Sequence, residues 1–186
     1  MAFWSDINNT PEPLRQYRWY LQFGDNKLES NLDKLRYALM ECGKPEMEIT
    51  TSEHLLLNHY FKYPGLVKWK PINIKVASVV GQKYSEDASR IFHVLANRSG
   101  YYLPNLTQEN NINKIDMITN IENIEIIQIN TGGAEIEKWL LYNPLISNIK
   151  YGNLSYASED IVTIDATINY DFAELKFDID RNKKIK

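Results

Sequence analysis

The sequence predicts a mainly β, α+β fold: an antiparallel β-barrel or sandwich with one flanking α-helix and a long loop suited to contact between subunits. Three observations predict it. Residues 162–170 alternate strictly, with Val162, Ile164, Ala166, Ile168 and Tyr170 on one face and Thr163, Asp165, Thr167 and Asn169 on the other. A period of two with one polar side belongs to an antiparallel strand that is wet on one face. Only residues 85–100 carry a clear helical period. Residues 53–63, EHLLLNHYFKY, hold more apolar surface than their own neighbours in a short loop can cover.

Taken in order, residues 1–13 form an N-terminal arm that ends in the stiff Pro11-Glu12-Pro13. Tyr17, Trp19, Leu21 and Phe23 then alternate with Arg18, Tyr20 and Gln22, which predicts an early strand. After the apolar loop, which closes at Pro64-Gly65, the segment VKWKPINIKV reads as a strand whose apolar parity switches across Pro71. Its apolar face runs Val67 and Trp69, then Ile72, Ile74 and Val76. A one-residue slip at proline is what a bulge or an edge position produces, and it leaves Lys68, Lys70, Asn73 and Lys75 on one polar face.

The helix over 85–100 has Ser85 as N-cap, Glu86 and Asp87 against the positive end of the dipole, and Gly100 placed for a C-terminal left-handed turn. Ala88, Ile91 and Leu95 form its apolar stripe, which Phe92 widens. Residues 105–120 read as a connection holding a short helix or strand. A hairpin follows: IEIIQIN, the turn Thr131-Gly132-Gly133, and AEIEKWLLY, closed by Asn143-Pro144. No internal repeat or low-complexity linker interrupts the 186 residues, so the chain is expected to be a single domain, with residues 174–186 as a basic C-terminal extension carrying Arg181, Lys183, Lys184 and Lys186.

Composition narrows the function classes. The chain is 44% hydrophobic and 24% charged, ordinary for a packed globular fold. No run reaches the roughly 18–20 apolar residues of a membrane span, and the start lacks a signal-peptide pattern, so a soluble, unprocessed chain without membrane insertion is expected. Cys42 is the single cysteine, which makes a reducing compartment the default and leaves the N-x-[ST] matches at Asn8, Asn97, Asn105 and Asn153 as accidents of an Asn-rich sequence. A net charge of −3 argues against a protein built to hold nucleic acid, because such binding depends on Lys and Arg releasing counterions from phosphates.

Catalytic patterns are missing. His54 and His59 lie in the loop and His93 in the helix, without zinc spacing, so no metal ligand is assigned. Gly132-Gly133 lacks the lysine of a phosphate loop and reads as a hairpin turn, and no G-x-S-x-G elbow occurs. Glu135 and Glu137 share one face of a regular strand and could mimic a carboxylate pair, but a solvated or pore-facing rim fits them better. Trp19 and Trp69 fall on apolar faces and read as core rather than as a stacking platform. No catalytic residue and no cofactor is expected. What remains is the apolar loop, with Leu55, Leu56, Leu57, His59, Tyr60, Phe61 and Tyr63 as contact residues, since a monomer rarely exposes such a patch unpartnered.

The start PEPLRQYRWYLQF, the loop and strand KPEMEITTSEHLLLNHYFKYPGLVKWKPINIKV, the segment EKWLLYNPLISNIKYGNLSY and the ending EDIVTIDATINYDFAEL together resemble the tail tube proteins of contractile-tailed bacteriophages. The resemblance spans most of the chain. The extension beyond Ala173 departs from it. What it implies is a subunit of stacked hexameric rings, forming the inner tail tube through which genomic DNA is ejected. The expected partners are further copies of the chain, the tail sheath, the baseplate or tube initiator, the tail terminator and the tape-measure protein, with double-stranded DNA passing transiently. The expected location is the tail of a virion assembled in the host cytoplasm.

On that reading Glu122, Glu125, Glu135, Glu137 and Asp165 are candidates to face the channel, because acidic walls let a polyanion slide where lysines would hold it. Lys68 and Lys70 are candidates to face the sheath. Open beside it stand a tube initiator or terminator, the tube of a related contractile injection system, and a monomeric β-barrel for a small apolar ligand.

Overall fold

The computed structural model describes residues 14–24, 35–80, 87–98, 101 and 112–176. The strands, in chain order, are β1 (Trp19–Phe23), β2 (Leu39–Cys42), β3 (Glu46–Leu56), β4 (His59–Lys70), β5 (Ile72–Ala77), β6 (Ile124–Ile129), β7 (Glu135–Tyr142), β8 (Leu145–Lys150), β9 (Thr163–Asn169) and β10 (Phe172–Lys176). Helix α1 spans Ala88–Arg98 and α2 spans Lys114–Ile121, and a single 3-10 turn, Arg36–Ala38, precedes β2. The strands form two four-stranded antiparallel sheets, ordered β1-β6-β7-β10 and β2-β5-β9-β8, and a separate hairpin of β3 and β4. The mainly β class is as expected. Among the described residues neither sheet closes on itself, so the architecture is two open sheets and not a barrel.

The two sheets share one core. Leu21, Ile124, Ile126 and Leu141 from the first join Ile72, Ile74, Val76, Ile164, Ala166 and Ile168 from the second, and Ala88, Ile91, Phe92 and Leu95 of α1 complete the cluster. β9 lies between β5 and β8, and its burial alternates residue by residue as the sequence predicts. Asn130 folds the β6–β7 turn: its Oδ1 accepts from the backbone N–H of Gly132 at 2.8 Å and of Ala134 at 2.9 Å. Gly133 sits at φ +79°, the left-handed region that glycine enters without steric cost.

Four expectations change. Pro71 does not bulge one long strand; it separates β4, in the hairpin, from β5, in the second sheet. The parity switch is therefore a change of sheet, at a residue with no N–H to give a ladder. Tyr17 stands exposed in the turn before β1. Glu174–Lys176, read as the start of the basic extension, belong to β10 and pair with Leu140–Lys138 of β7. A register shift opposite Gln128 and Ile129 breaks the regular alternation of Glu135 and Glu137, so the two carboxylates take different faces.

The segment expected to connect residues 105–120 holds α2, capped by the Asn113 side chain, which accepts from Ile115 N at 2.7 Å. Ser85, Glu86, Gly100, the arm 1–13 and the lysine cluster after residue 176 lie outside the described residues.

Asp171, in the turn between β9 and β10, ties three elements. Lys114 at the start of α2 donates to its Oδ1 at 2.7 Å and its Oδ2 at 2.8 Å, and Asn143 Nδ2 donates to Oδ2 at 2.8 Å. Lys114, and then Asn143, hold the Asp171 carboxyl below the usual carboxylate range. A carboxyl with a depressed folded pKa contributes its stability above the unfolded value, near ~3.9, and loses it as pH falls through the folded value. Asp171→Asn is therefore expected to cost about 0.5 kcal/mol or less at neutral pH, given how exposed the pair is. The difference between variant and parent should shrink as pH falls through the folded value and vanish below it. Thermal melts across pH check it, and a difference that persists in acid would reject the ion pair as its source.

Candidate interaction surface

Among the described residues β3 and β4 are the longest strands, 11 and 12 residues, and they pair only with each other. At about 3.3 Å per residue they make a ribbon roughly 35 Å long. Such a ribbon alone is marginal in water and needs an anchor. The anchor is at its root: Trp69 is the one residue of β4 that is not exposed, and its ring lies 6.0 Å from that of Tyr170, tilted by 55°. On the β3 side, Lys44 fixes the chain just before the ribbon by donating to Gln128 Oε1 at 2.7 Å and to Glu137 Oε1 at 2.8 Å.

Pro64-Gly65, expected to end a loop, instead sits inside the ribbon at a bulge. Ile49 faces Val67 and Thr51 faces Pro64, so Thr50 alone opposes Gly65 and Leu66. Thr50 Oγ1 accepts from Leu66 N at 2.9 Å and closes the irregularity. A Cβ on Gly65 would stand 2.6 Å from that oxygen and 3.0 Å from the Thr50 carbonyl, which is why glycine occupies the position. The expected apolar loop is thus the outer half of a regular hairpin. Its register runs Glu53 opposite Lys62, His54 opposite Phe61, Leu55 opposite Tyr60 and Leu56 opposite His59.

Two residues turn the ribbon, Leu57 at φ 48° and Asn58 at φ 63°. Positive φ at both positions matches the twist of a two-residue hairpin, and Asn-Gly or Gly-Gly ordinarily fill it. Leucine there costs about 1 kcal/mol or more in backbone sterics. Its side chain is 89% exposed, so the fold of the monomer gains nothing in return. Leu55, Leu56, Tyr60, Phe61 and Tyr63 are also exposed, on both faces of the ribbon, with Leu66 and Val67 continuing the surface beyond the bulge. All seven expected contact residues, His59 included, are therefore gathered on one ribbon and stand exposed among the described residues.

The lysines expected to face a sheath lie near the root and are matched by acids. Lys70 meets Glu46 at 2.5 Å and Glu48 at 3.7 Å, and Lys68 stands opposite Glu48 in the register. The five acids expected to face a channel are not brought together. Glu125 pairs with Lys138 at 2.6 Å. Glu135 accepts from the Tyr20 hydroxyl at 3.1 Å. Burial, and then that carboxylate, push the Tyr20 phenol up to about 12. Glu137 points to the other face, where it holds Lys44 and the indole N–H of Trp139. Glu122 caps α2 at φ 52°, and Asp165 sits in the second sheet between Lys75 and Lys150.

Burial pushes the Cys42 thiol up to about 12, so it is protonated and unreactive at neutral pH. Among the described residues no three His, Cys, Asp or Glu side chains gather as a metal site, and no helix is long and apolar enough to cross a membrane. A cleft of about 520 Å³ beside β1 and β2 is lined by Trp19, Met40, Cys42, Lys44, Ile126 and Gln128 among others, and Lys44 is already engaged there.

No protein-family model and no curated protein sequence matches the chain. Solved structures do. A chain from the sheath/tube terminator of an extracellular contractile injection system, PVC, in its extended state aligns with a TM-score of 0.61 at 17% identity, over 89% of this chain and 98% of that one. A chain from the anti-feeding prophage cap, its tube terminating cap, aligns with a TM-score of 0.62 at 15% identity, over 95% and 99%. A chain from the PVC sheath–tube complex, also extended, gives 0.56 at 16% identity, over 88% and 91%. The chain therefore takes a fold found in the sheath/tube-terminator and tube-cap assemblies of contractile injection systems.

Proposed function

We propose that the chain is a non-enzymatic structural subunit of a contractile tail or injection system, six copies closing into a ring and the rings stacking as an inner tube. One observation carries this reading: a ribbon roughly 35 Å long whose outer half exposes apolar side chains on both faces, none of them buried among the described residues. Full burial of a large apolar side chain is worth about 1.5–3 kcal/mol, so several of them can hold a subunit contact after association costs. The short sheet edges β1, β10, β2 and β8, which have no further strand beside them among the described residues, favour the same reading, because an unpaired edge is satisfied by sheet extension to a neighbour.

As a conduit, the ring would pass double-stranded DNA without gripping it. Glu122, Glu125, Glu135 and Asp165 are its proposed channel-facing acids; Glu137, committed to Lys44 and Trp139, is the least suited of the five. Sheath, baseplate, terminator and tape-measure proteins are the partners such a ring would meet, with Lys68 and Lys70 as the proposed sheath-facing charges. A terminator or cap at one end of the tube is the second reading, favoured by the near-complete alignment with chains of a terminator and a terminating cap.

Negative-stain imaging and light scattering of the purified protein separate these readings. Elongating tubes support a tube subunit, and single rings that do not grow support a terminator. A monomer at high concentration would overturn both.

A further inference from the structure

Of the two four-stranded sheets, the first has an edge that is already occupied. Ile129 N donates to Arg18 O at 3.1 Å and Gly24 N to Asn123 O at 2.7 Å, so Arg18 and Gly24 are residues of the bonded pairs between β1 and β6. Bonded and non-bonded pairs alternate along an antiparallel ladder, which turns the carbonyl of Leu21, opposite Ile126, away from β6. Arg36 caps that carbonyl: its Nε donates to Leu21 O at 3.1 Å, and its guanidinium lies 4.7 Å over the Tyr20 ring. A sheet continues from copy to copy around a ring only where both of its edges are open.

The second sheet has no such cap among the described residues, and its polar face carries a row of charge from edge to edge. Glu41 of β2 stands opposite Lys75 of β5, Lys75 opposite Asp165 of β9, and Asp165 opposite Lys150 of β8. The signs alternate along the row. Glu41 and Lys150 are the only charged residues of their strands, both are exposed, and neither has an ion pair among the described residues. On the first sheet Glu125 is instead paired with Lys138 at 2.6 Å and Glu174 with Lys176 at 2.6 Å.

Strand direction agrees with charge. Every neighbouring pair in the second sheet is antiparallel, so β2 and β8 run opposite ways and β8 of one copy meets β2 of the next antiparallel. Bulges at Met40 and Ser147 leave residues 41–42 and 148–150 as the regular stretches beside the charge row. Apolar surface flanks both edges: Met40 stands exposed in β2, and just past β8 in the chain Leu154, Tyr156 and Ile161 line a groove of about 590 Å³.

We infer that β8 of one copy pairs with β2 of the next, Lys150 against Glu41, so that the second sheet and its alternating row of charge run on from copy to copy. Opposite charges directly across an antiparallel pair are favourable and like charges are not, so the row also selects which edges meet: β2 against β2, or β8 against β8, sets like signs together. Two different edges meet, and such a heterologous contact is the kind that closes rings. The inference rests on the ring-and-tube reading above and adds to it the strands that join the copies.

Charge reversal tests it. Glu41→Lys and Lys150→Glu variants are made separately; the first presents lysine on both edges, the second glutamate on both. Each alone is expected to associate about 2- to 30-fold more weakly per contact than the parent, read by sedimentation across a concentration series. An equal mixture is expected to regain rings in which the two variants alternate, identified by native mass spectrometry. On the parent protein, carbodiimide coupling of the rings is expected to give an amide between Glu41 and Lys150 of different copies, which needs no substitution. Rings that lack this link, variants that form rings as readily as the parent, or a mixture of folded variants that does not recover would each overturn the pairing and leave the ring reading intact. A parent that stays monomeric at high concentration would sink both.

Discussion

Replacing Leu57 with glycine is expected to leave the monomer as stable as the parent or more so, and to weaken self-assembly by about 10- to 150-fold. The two effects have opposite signs because they act on different states. In the monomer, Leu57 holds a positive φ that glycine adopts freely, and its side chain touches solvent. Removing it relieves about 1 kcal/mol of backbone sterics and leaves no cavity. In the proposed assembly the same side chain would be a buried anchor worth about 1.5–3 kcal/mol, and each 1.4 kcal/mol is tenfold in the association constant. Melting of the dilute protein and sedimentation across a concentration series measure the two effects separately. A glycine variant that assembles at the parent's concentration would show that the tip is not a contact. One that melts well below the parent would show that Leu57 serves the fold of its own protomer.

Much of this was legible in the sequence because the residues concerned obey one rule at a time. In β9 each side chain is either core or rim, so alternation alone named Ile164, Ala166 and Ile168. In α1 the stripe of Ala88, Ile91, Phe92 and Leu95 is the helix period read directly. The β6–β7 turn was legible because Asn130 and Gly133 are residues that such a turn asks for.

The ribbon was read as a loop because every local signal in it is atypical. Its turn carries leucine where glycine is usual, and Pro64-Gly65 marks a bulge where the same pair normally marks an end. Alternation could not help either, since both faces of the ribbon are apolar and both are exposed. Its character as an uncovered surface was nevertheless plain from composition. Glu135 and Glu137 failed for another reason: a register shift depends on the partner strand, and no spacing within β7 encodes it. The groove at residues 151–161 was missed because its apolar residues follow no period. Leu154, Tyr156 and Ile161 among Gly, Asn and Ser look like an ordinary loop, and only the folded chain shows that they line one groove.

Ile164→Ala is the substitution expected to act on the fold and not on the contact. Ile164 is fully buried in β9, between β5 and β8, and it belongs to the cluster that joins both sheets to α1. Truncating a buried isoleucine costs about 2–5 kcal/mol, the transfer term plus the cavity, against a total of only ~5–15 kcal/mol for a domain. At this chain length that is roughly 4–20 °C in Tm. Assembly would mask part of the loss, because anything that binds only the folded state stabilises it by mass action. The measurement is therefore made on the Leu57→Gly background, where tip and core share no partner and their effects add. Thr163→Ala, one residue earlier and on the opposite face, should cost less than about 1 kcal/mol. Equal costs at the two positions would mean that the faces of β9 are not core and rim, and the shared core between the two sheets would have to be redrawn.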